Sequence, residues 1–424
     1  MKKKTWLAVL VTSLAVVGTF TALNHQSVAN AKWSEGLSDT GSSIISGDKG
    51  SSTELSDITT HWARGAIDKA VQLGIAKGYP DGTFKPNSNV TRAEFIKMTV
   101  EALKLPVDSN AGGTWYDAYV NAAKNANLYV ETDFKTGNLN SQMTRKEMAR
   151  LSARAIGEKT ADDAKWMYLA TKKGLISGLG AGKLGESDNT TRAQSVTIID
   201  RILTVNAGGS LPVDKYAVAS AEVVWHGTNI FTVMPEVFTT SDESKKANVA
   251  ELWNKKNMII DSIDGDYKGE IEAVIAIDLA DPNDPNLKLI PPISSLKWQN
   301  HSSSTSTEGI PVSKLKDSYL IYYKSKVIFS KNSDHYVPIS RKNYVPLNIS
   351  GTRGNIEEFF KGTLNMVGRV FKDQPMDQTI FIFPKKGWSQ SRNLSITINT
   401  PASSNYYYKT QDILEVSGPF YKGY

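Results

Sequence analysis

The feature that most constrains this chain is an internal repeat. Trp62 and Arg92 recur without a gap at Trp115 and Arg145, 53 residues on. Gly74, Gly78, Thr91 and Arg92 recur at Gly174, Gly178, Thr191 and Arg192, 100 residues on. Three units of about fifty residues follow one another between Leu55 and Asn206, so each must be one supersecondary element that completes its core against its neighbours. In the first unit, Trp62, Ala66, Ala70 and Leu73 are spaced as one apolar helix face, which Gly74 is placed to end. The segment GYPDGTFKPNSN is a turn-rich loop. Thr91-Arg92-Ala93-Glu94 then opens a second helix as a capping box, echoed at Thr144 to Glu147 and Thr191 to Gln194. Phe95, Thr99, Ala102 and Leu103 form that helix's buried stripe.

The string SD…HWA…AI…GI..GYPDGTFKPN…TRAEF in the first unit closely resembles the S-layer homology family, and the resemblance extends over all three units, 55–107, 108–157 and 158–206. It implies a mainly helical, three-pronged pseudo-trimer that anchors to secondary cell-wall polysaccharide, often pyruvylated, on Gram-positive-type bacteria. It further implies a non-enzymatic surface protein at the cell wall, able to self-associate in a surface layer. The second unit's loop, ETDFKTGNLNSQ, lacks the GYPDGTF string. In the third unit GLGAGKLG replaces it, and the tryptophan shifts to Trp166, in register with Ala66.

An arginine at the first position of a helix opposes the helix dipole. Arg92, Arg145 and Arg192 each follow a capping threonine, where free N–H groups make the helix N-terminus an anion site and a guanidinium adds a bidentate donor for a carboxylate. By spacing alone they fit either an acidic sugar substituent or an acidic residue of a neighbouring unit; the resemblance favours the polysaccharide. Trp62, Trp115, Tyr79, Trp166 and Tyr168 are aromatic candidates for stacking on sugar rings. Trp62 and Trp115 read more readily as core, and Tyr79, in the loop, as a groove residue. Asp57 and Asp81 are candidate acceptors for sugar hydroxyls, although Asp57 also suits a helix cap and Asp81 a turn closure. Gly78 and Gly178, matched between loops, complete the polysaccharide-binding set with Trp115 and Trp166.

Lys2, Lys3 and Lys4 precede an apolar stretch from Trp6 to Leu23 and an Ala-Asn-Ala site. This is the pattern of a signal peptide over residues 1–31, cut after Ala31. A Gly/Ser-rich linker occupies 32–54. Removing the three lysines takes the net charge from +6 to +3, which ends any case for nucleic acid resting on bulk basicity. With no transmembrane segment, the mature chain is expected outside the membrane. The absence of cysteine excludes disulfides, cysteine-ligated zinc, iron–sulfur clusters and thiol nucleophiles.

Residues 211–424 change texture to a β-rich α+β region of no recognised family, one domain or two with a break near 302–308. The expected strands are Val223 to Trp225, Ile230 to Met234, Ile271 to Leu279, Tyr319 to Phe329, Ile380 to Phe383 and Leu394 to Ile398. The expected helices are Ala247 to Trp253 and Ile356 to Phe371, the latter capped by Asn355. No catalytic residue, cofactor or metal set is assigned. Calcium is a weak alternative at Asp261, Asp264 and Asp266, or at Asp278, Asp281 and Asp284, against ordinary turn chemistry. Tyr319 and Tyr323 read as edge-strand aromatics before a haem-binding pair, and Glu357 and Glu358 as a solvated face. The C-terminal region is therefore expected to be a structural or adhesive module. The alternative is a wall hydrolase whose paired carboxylates only the fold assembles.

Overall fold

The structure, a computed structural model, describes residues 55–108, 112–301, 307–337 and 344–417. The expected signal peptide and linker lie outside the described residues, as does most of the serine run near 302. No helix among the described residues is long and apolar enough to cross a membrane.

The first half is helical and the second half is built on sheets. Each unit supplies a helix pair: α1 (Arg64–Gln72) with α2 (Arg92–Ala102), α3 (Asp117–Asn125) with α4 (Arg145–Ala155), and α5 (Lys165–Lys172) with α6 (Arg192–Asn206). The capping boxes form as their spacing predicts. The Thr91 hydroxyl accepts from Glu94 N at 3.2 Å, and the Glu94 carboxylate accepts from Thr91 N at 2.7 Å. Thr144 with Glu147, and Thr191 with Gln194, repeat the arrangement. Gly74 adopts φ 73° at the end of α1, as a helix stop requires.

The first helix departs from the expected stripe. Trp62 lies in the turn before α1, outside its 3.6-residue period, and is 67% exposed. Ala63, Ile67 and Ala70 turn inward, and Ile67 is fully buried. Trp115 is likewise exposed, at 56%, ahead of α3. Trp166 is inside a helix and 4% exposed, packed with Ala153 and Leu169, so it faces core.

The three pairs are closed into a ring by main-chain bonds. Val90 N donates to Thr190 O, Thr190 N to Met143 O, and Met143 N to Val90 O, each at 2.9 Å, and all three residues are fully buried. A buried cyclic set of this kind satisfies three donors that no helix or strand would otherwise pair.

The second half begins with α7 (Lys215–His226), α8 (Ile230–Val233) and α9 (Glu243–Lys246), where strands were expected at 223–225 and 230–234. Val223, Val224 and Trp225 look strand-like locally. Asp214 caps the run, however, Gly227 ends it at φ 78°, and Ala217, Ala221 and Trp225 are buried at helical spacing. The expected helix at 247–253 reduces to a 3-10 turn at Val249–Leu252.

The main sheet contains β1 (Ile259–Asp261), β2 (Tyr267–Asp278), β3 (Lys297–Gln299), β4 (Ile310–Pro311), β5 (Ser318–Ser330), β7 (Gly368–Phe371) and β8 (Ile380–Pro384). The order is β1-β2-β5-β8-β7-β3-β4, with each named pair antiparallel. A second sheet runs β10-β9-β6 from β6 (Leu347–Arg353), β9 (Ser389–Asn399) and β10 (Thr410–Val416). The expected helix at 356–371 is helical only as α10 (Ile356–Phe360), capped by Asn355 as predicted; its remainder contains β7, held between β8 and β3. Glu357 and Glu358 sit in its first turn, their N–H groups on the Asn355 side chain. Tyr319 and Tyr323 belong to β5, an interior strand, and are buried rather than at an edge.

Candidate functional site

The loop between the helices of each unit receives the arginine of another unit. Arg92 of the first unit pairs with Glu147 at 2.6 Å and donates to the Asn138 carbonyl at 2.9 Å, both in the second unit. Arg145 of the second donates to the Leu184 and Ser177 carbonyls of the third at 2.8 and 2.7 Å. Arg192 of the third donates to the Phe84 and Lys77 carbonyls of the first, each at 3.0 Å. The three contacts run in one cyclic direction.

The main chain obeys the same rule. Arg92 N and Ala93 N donate to Ser141 O and Leu139 O; Arg145 N and Lys146 N to Asp188 O and Glu186 O; Arg192 N and Ala193 N to Ser88 O and Pro86 O. The third N–H of each helix is held by its capping side chain. The helix N-termini, expected as anion sites, are therefore filled by neighbouring loops. Arg92 and Arg145, at 7% and 5% exposure, turn their guanidinium groups onto protein, Arg92 onto Glu147 and a loop carbonyl and Arg145 onto two loop carbonyls. Burial pulls the Arg145 pKa down. Arg192 is half-buried and the most open of the three. Its guanidinium lies over the Phe84 ring at 4.5 Å and the Tyr79 ring at 5.1 Å.

Tyr79 is 38% exposed, with Lys85 on its ring at 4.1 Å. Around it the first unit's loop is rigid. Asp57 accepts from Phe84 N and Lys85 N, each at 2.8 Å, so it braces this loop and caps no helix. Asp81 closes the turn on Thr83, with its pKa held down chiefly by that residue's hydroxyl and N–H.

Gly78 and Gly178 are also explained internally. A Cβ on Gly78 would meet the Leu55 side chain at 2.6 Å, and one on Gly178 would meet Asp214 at 3.1 Å. Asp214 both caps α7 and accepts from Gly178 N at 3.0 Å, so the start of α7 braces the third unit's loop at Gly178 while Leu179 stays exposed. The sequence missed this brace, although an aspartate ahead of an alanine-rich apolar run is itself a helix-start signal.

Two clefts stand out. One of about 530 Å³ lies in the second unit, lined by Asp117, Lys124, Tyr129 and Glu131 among others. Lys124 pairs with Glu131 at 2.8 Å, and Asp117 accepts from Thr114 N at 2.6 Å. The other, about 400 Å³, lies between α5, α7 and the segment around Val249, lined by Lys165, Tyr168, Lys172, Trp225 and Glu251. Behind it Glu222 is fully buried, accepting from Phe231 N and the Thr232 hydroxyl, with its pKa pushed up to about 8 by burial. A carboxyl sealed this way cannot touch a substrate.

Of the two aspartate groups, Asp278 pairs with Lys385 at 2.6 Å. Asp281 accepts from the Tyr216 hydroxyl, and Asp284 from Asp278 N and Asn286 N. These contacts are those of ordinary turn and bracing aspartates, the other reading of 278–284. Asp261 pairs with Lys268, whereas Asp264 and Asp266 converge on His335.

Residues 54–96 match the S-layer homology domain family. Over longer or overlapping stretches the chain is similar to an amylopullulanase of Thermoanaerobacterium thermosulfurigenes, 30% identical over 175 residues, 35% of this chain and 9% of that protein. It is 52% identical over 54 residues to cell surface glycoprotein 1 of Acetivibrio thermocellus, 12% of this chain and 2% of that protein. It is 42% identical over 52 residues to a cellulosome-anchoring protein of the same species, 12% of each chain. The chain thus spans a small part of each relative. Residues 54–96 are an S-layer homology domain, and the surface-protein relatives support a cell-wall or cell-surface location.

Proposed function

We propose that the three units are three S-layer homology repeats forming a pseudo-trimer that binds an anionic, pyruvylated secondary cell-wall polysaccharide. Residues 211–424 are then a structural or adhesive module that the anchor holds at the surface, where copies self-associate in a layer. The observation that carries the reading is the seam where the third unit meets the first. There the half-open Arg192 and the exposed Tyr79 present a cation and an aromatic face side by side on a rigid loop. The exposed Trp62 and Trp115 add aromatic faces at the first and second units. The repeated fifty-residue unit and a similarity covering more than a third of the chain support three repeats rather than one.

The test is co-sedimentation of the mature chain with purified cell-wall sacculi, with and without chemical removal of the polysaccharide. Binding should vanish with the polysaccharide and be competed by it in free form. Tyr79→Ala should weaken binding about tenfold, roughly 1.4 kcal/mol, by removing an exposed aromatic face. It should shift the melting temperature by only a few degrees, since the exposed contacts it makes with Lys85 and Arg192 are worth roughly 0.5–1 kcal/mol each. Equal binding to stripped sacculi would overturn the reading.

A further inference from the structure

The turn joining β1 to β2 and the segment just after β5 bring together three metal-ligating side chains: Asp264, Asp266 and His335. One ligand atom from each lies within 4.8 Å of the other two. Asp264 is oriented by its surroundings. Its Oδ1 accepts from the Tyr336 hydroxyl at 2.7 Å, the Ser262 hydroxyl at 2.8 Å and Asp266 N at 3.1 Å, and its Oδ2 faces His335 Nδ1 at 3.1 Å. The imidazole is fixed by stacking on Tyr407, ring centroids 3.7 Å apart. Hydrogen-bonded carboxylates and a held imidazole are the outer supports that metal ligands require.

Two features leave room for a cation among the three groups. Among the described residues the Asp266 carboxylate makes no hydrogen bond or ion pair, although it lies beside a second carboxylate. The Lys331 ammonium donates to the Gly265 carbonyl at 3.2 Å rather than to either acid. The second feature concerns His335 Nδ1. Asn332 Oδ1 accepts from Asp334 N and His335 N, at 3.0 and 3.2 Å, which fixes its amide so that Nδ2 points at His335 Nδ1, 3.1 Å away. A bare Nδ1 satisfies Asn332 but opposes the Asp264 oxygen; a protonated Nδ1 satisfies Asp264 but opposes the Asn332 N–H. A cation shared by Nδ1 and Oδ2 accommodates both as acceptors.

We propose that Asp264, Asp266 and His335 bind one divalent transition-metal ion, of the class of zinc, tying the β1–β2 turn to residues 332–335. An imidazole in a three-ligand set selects this class over calcium, which takes oxygen ligands. Three protein ligands leave a coordination position for water, consistent with the partly exposed site.

The mature chain, treated with chelator and dialysed, is titrated calorimetrically with ZnCl2 and separately with CaCl2. One equivalent of Zn2+ should bind saturably and raise the melting temperature. Asp266→Asn and His335→Gln should each weaken it about tenfold or more, a loss at least as large as removal of an outer-shell partner. Because Asp266 holds no other group, its variant should melt with wild type when metal-free; if His335→Gln fails to fold, Asp266→Asn alone decides. Absence of a saturable Zn2+ site, Zn2+ binding unchanged in Asp266→Asn, or Ca2+ displacing Zn2+ at equal concentration would overturn the assignment.

Discussion

Arg92, Arg145 and Arg192 sit where the helix dipole disfavours a cation, and each is stabilised by groups a neighbouring unit supplies. Breaking a buried ion pair by removing one partner costs roughly 3–5 kcal/mol. Arg92→Ala, which leaves Glu147 with only its capping bond from Thr144 N at an interface where both side chains are largely covered, should therefore lower the unfolding free energy by about 3 kcal/mol in urea titration. Arg192→Ala, whose partners are carbonyls near solvent, should cost only about 1 kcal/mol. Two buried groups give a pH dependence. Glu222 titrates at about 8 in the folded chain against 4.5 ordinarily, so its contribution is complete below pH 4.5 and is lost as the pH rises towards 8. Burial lowers His226 to about 4 from 6.5, so its contribution is lost as the pH falls from 6.5 towards 4. The slopes oppose each other below pH 6.5. Between pH 6.5 and 8 that of Glu222 stands alone, at up to roughly 1.4 kcal/mol per pH unit. Stability relative to Glu222→Gln should fall across that window, as read from urea midpoints at the two pH values.

Elements were legible where a local signal fixes them. Threonine at the cap with Glu or Gln three residues on placed α2, α4 and α6 at the right residue, because a capping box is satisfied within four residues. The long strands β2, β5 and β9 were legible from β-branched and aromatic runs. Helix α7 was not: Val223-Val224-Trp225 reads as strand until the burial of Ala217 and Ala221 on the same face is known. The same helix revises where the helical half ends. Trp225 packs on Tyr168 of α5, ring centroids 4.8 Å apart, and its indole N–H donates to Asp162 at 3.1 Å. A fragment ending at residue 206 exposes that face of α5, whereas one ending at 227 covers it. The longer fragment should melt several degrees higher by circular dichroism, since burying a side chain of this size is worth roughly 1.5–3 kcal/mol.

At the scale of the whole molecule, the three units are equivalent in chain pattern but not in surroundings. The third unit's loop is braced by α7 at Gly178 but carries no aromatic side chain, and the unit's tryptophan is in the core. The first unit's loop keeps Tyr79 open beside Arg192. Ligand binding should accordingly depend far more on Tyr79→Ala than on changes near Leu179, a contrast that sacculus co-sedimentation measures directly. The ion pair between Lys165 of α5 and Glu251 ties the helical half to the second half beyond α7, and the Tyr216–Asp281 bond ties α7 to the segment after β2.

By itself the sequence determined the repeat, the capped helices within it and the β-rich character of the second half. All of these rest on residues close together in the chain, where periodicity and capping chemistry act. Only the tertiary structure decided direction: whether an arginine points to solvent or to a carbonyl some forty or a hundred residues away, whether a tryptophan lies inside a helix or one turn before it, and which aspartates meet a histidine from a different segment. Those outcomes depend on which surfaces meet, and spacing along one chain does not encode the free-energy balance between a neighbouring loop and water.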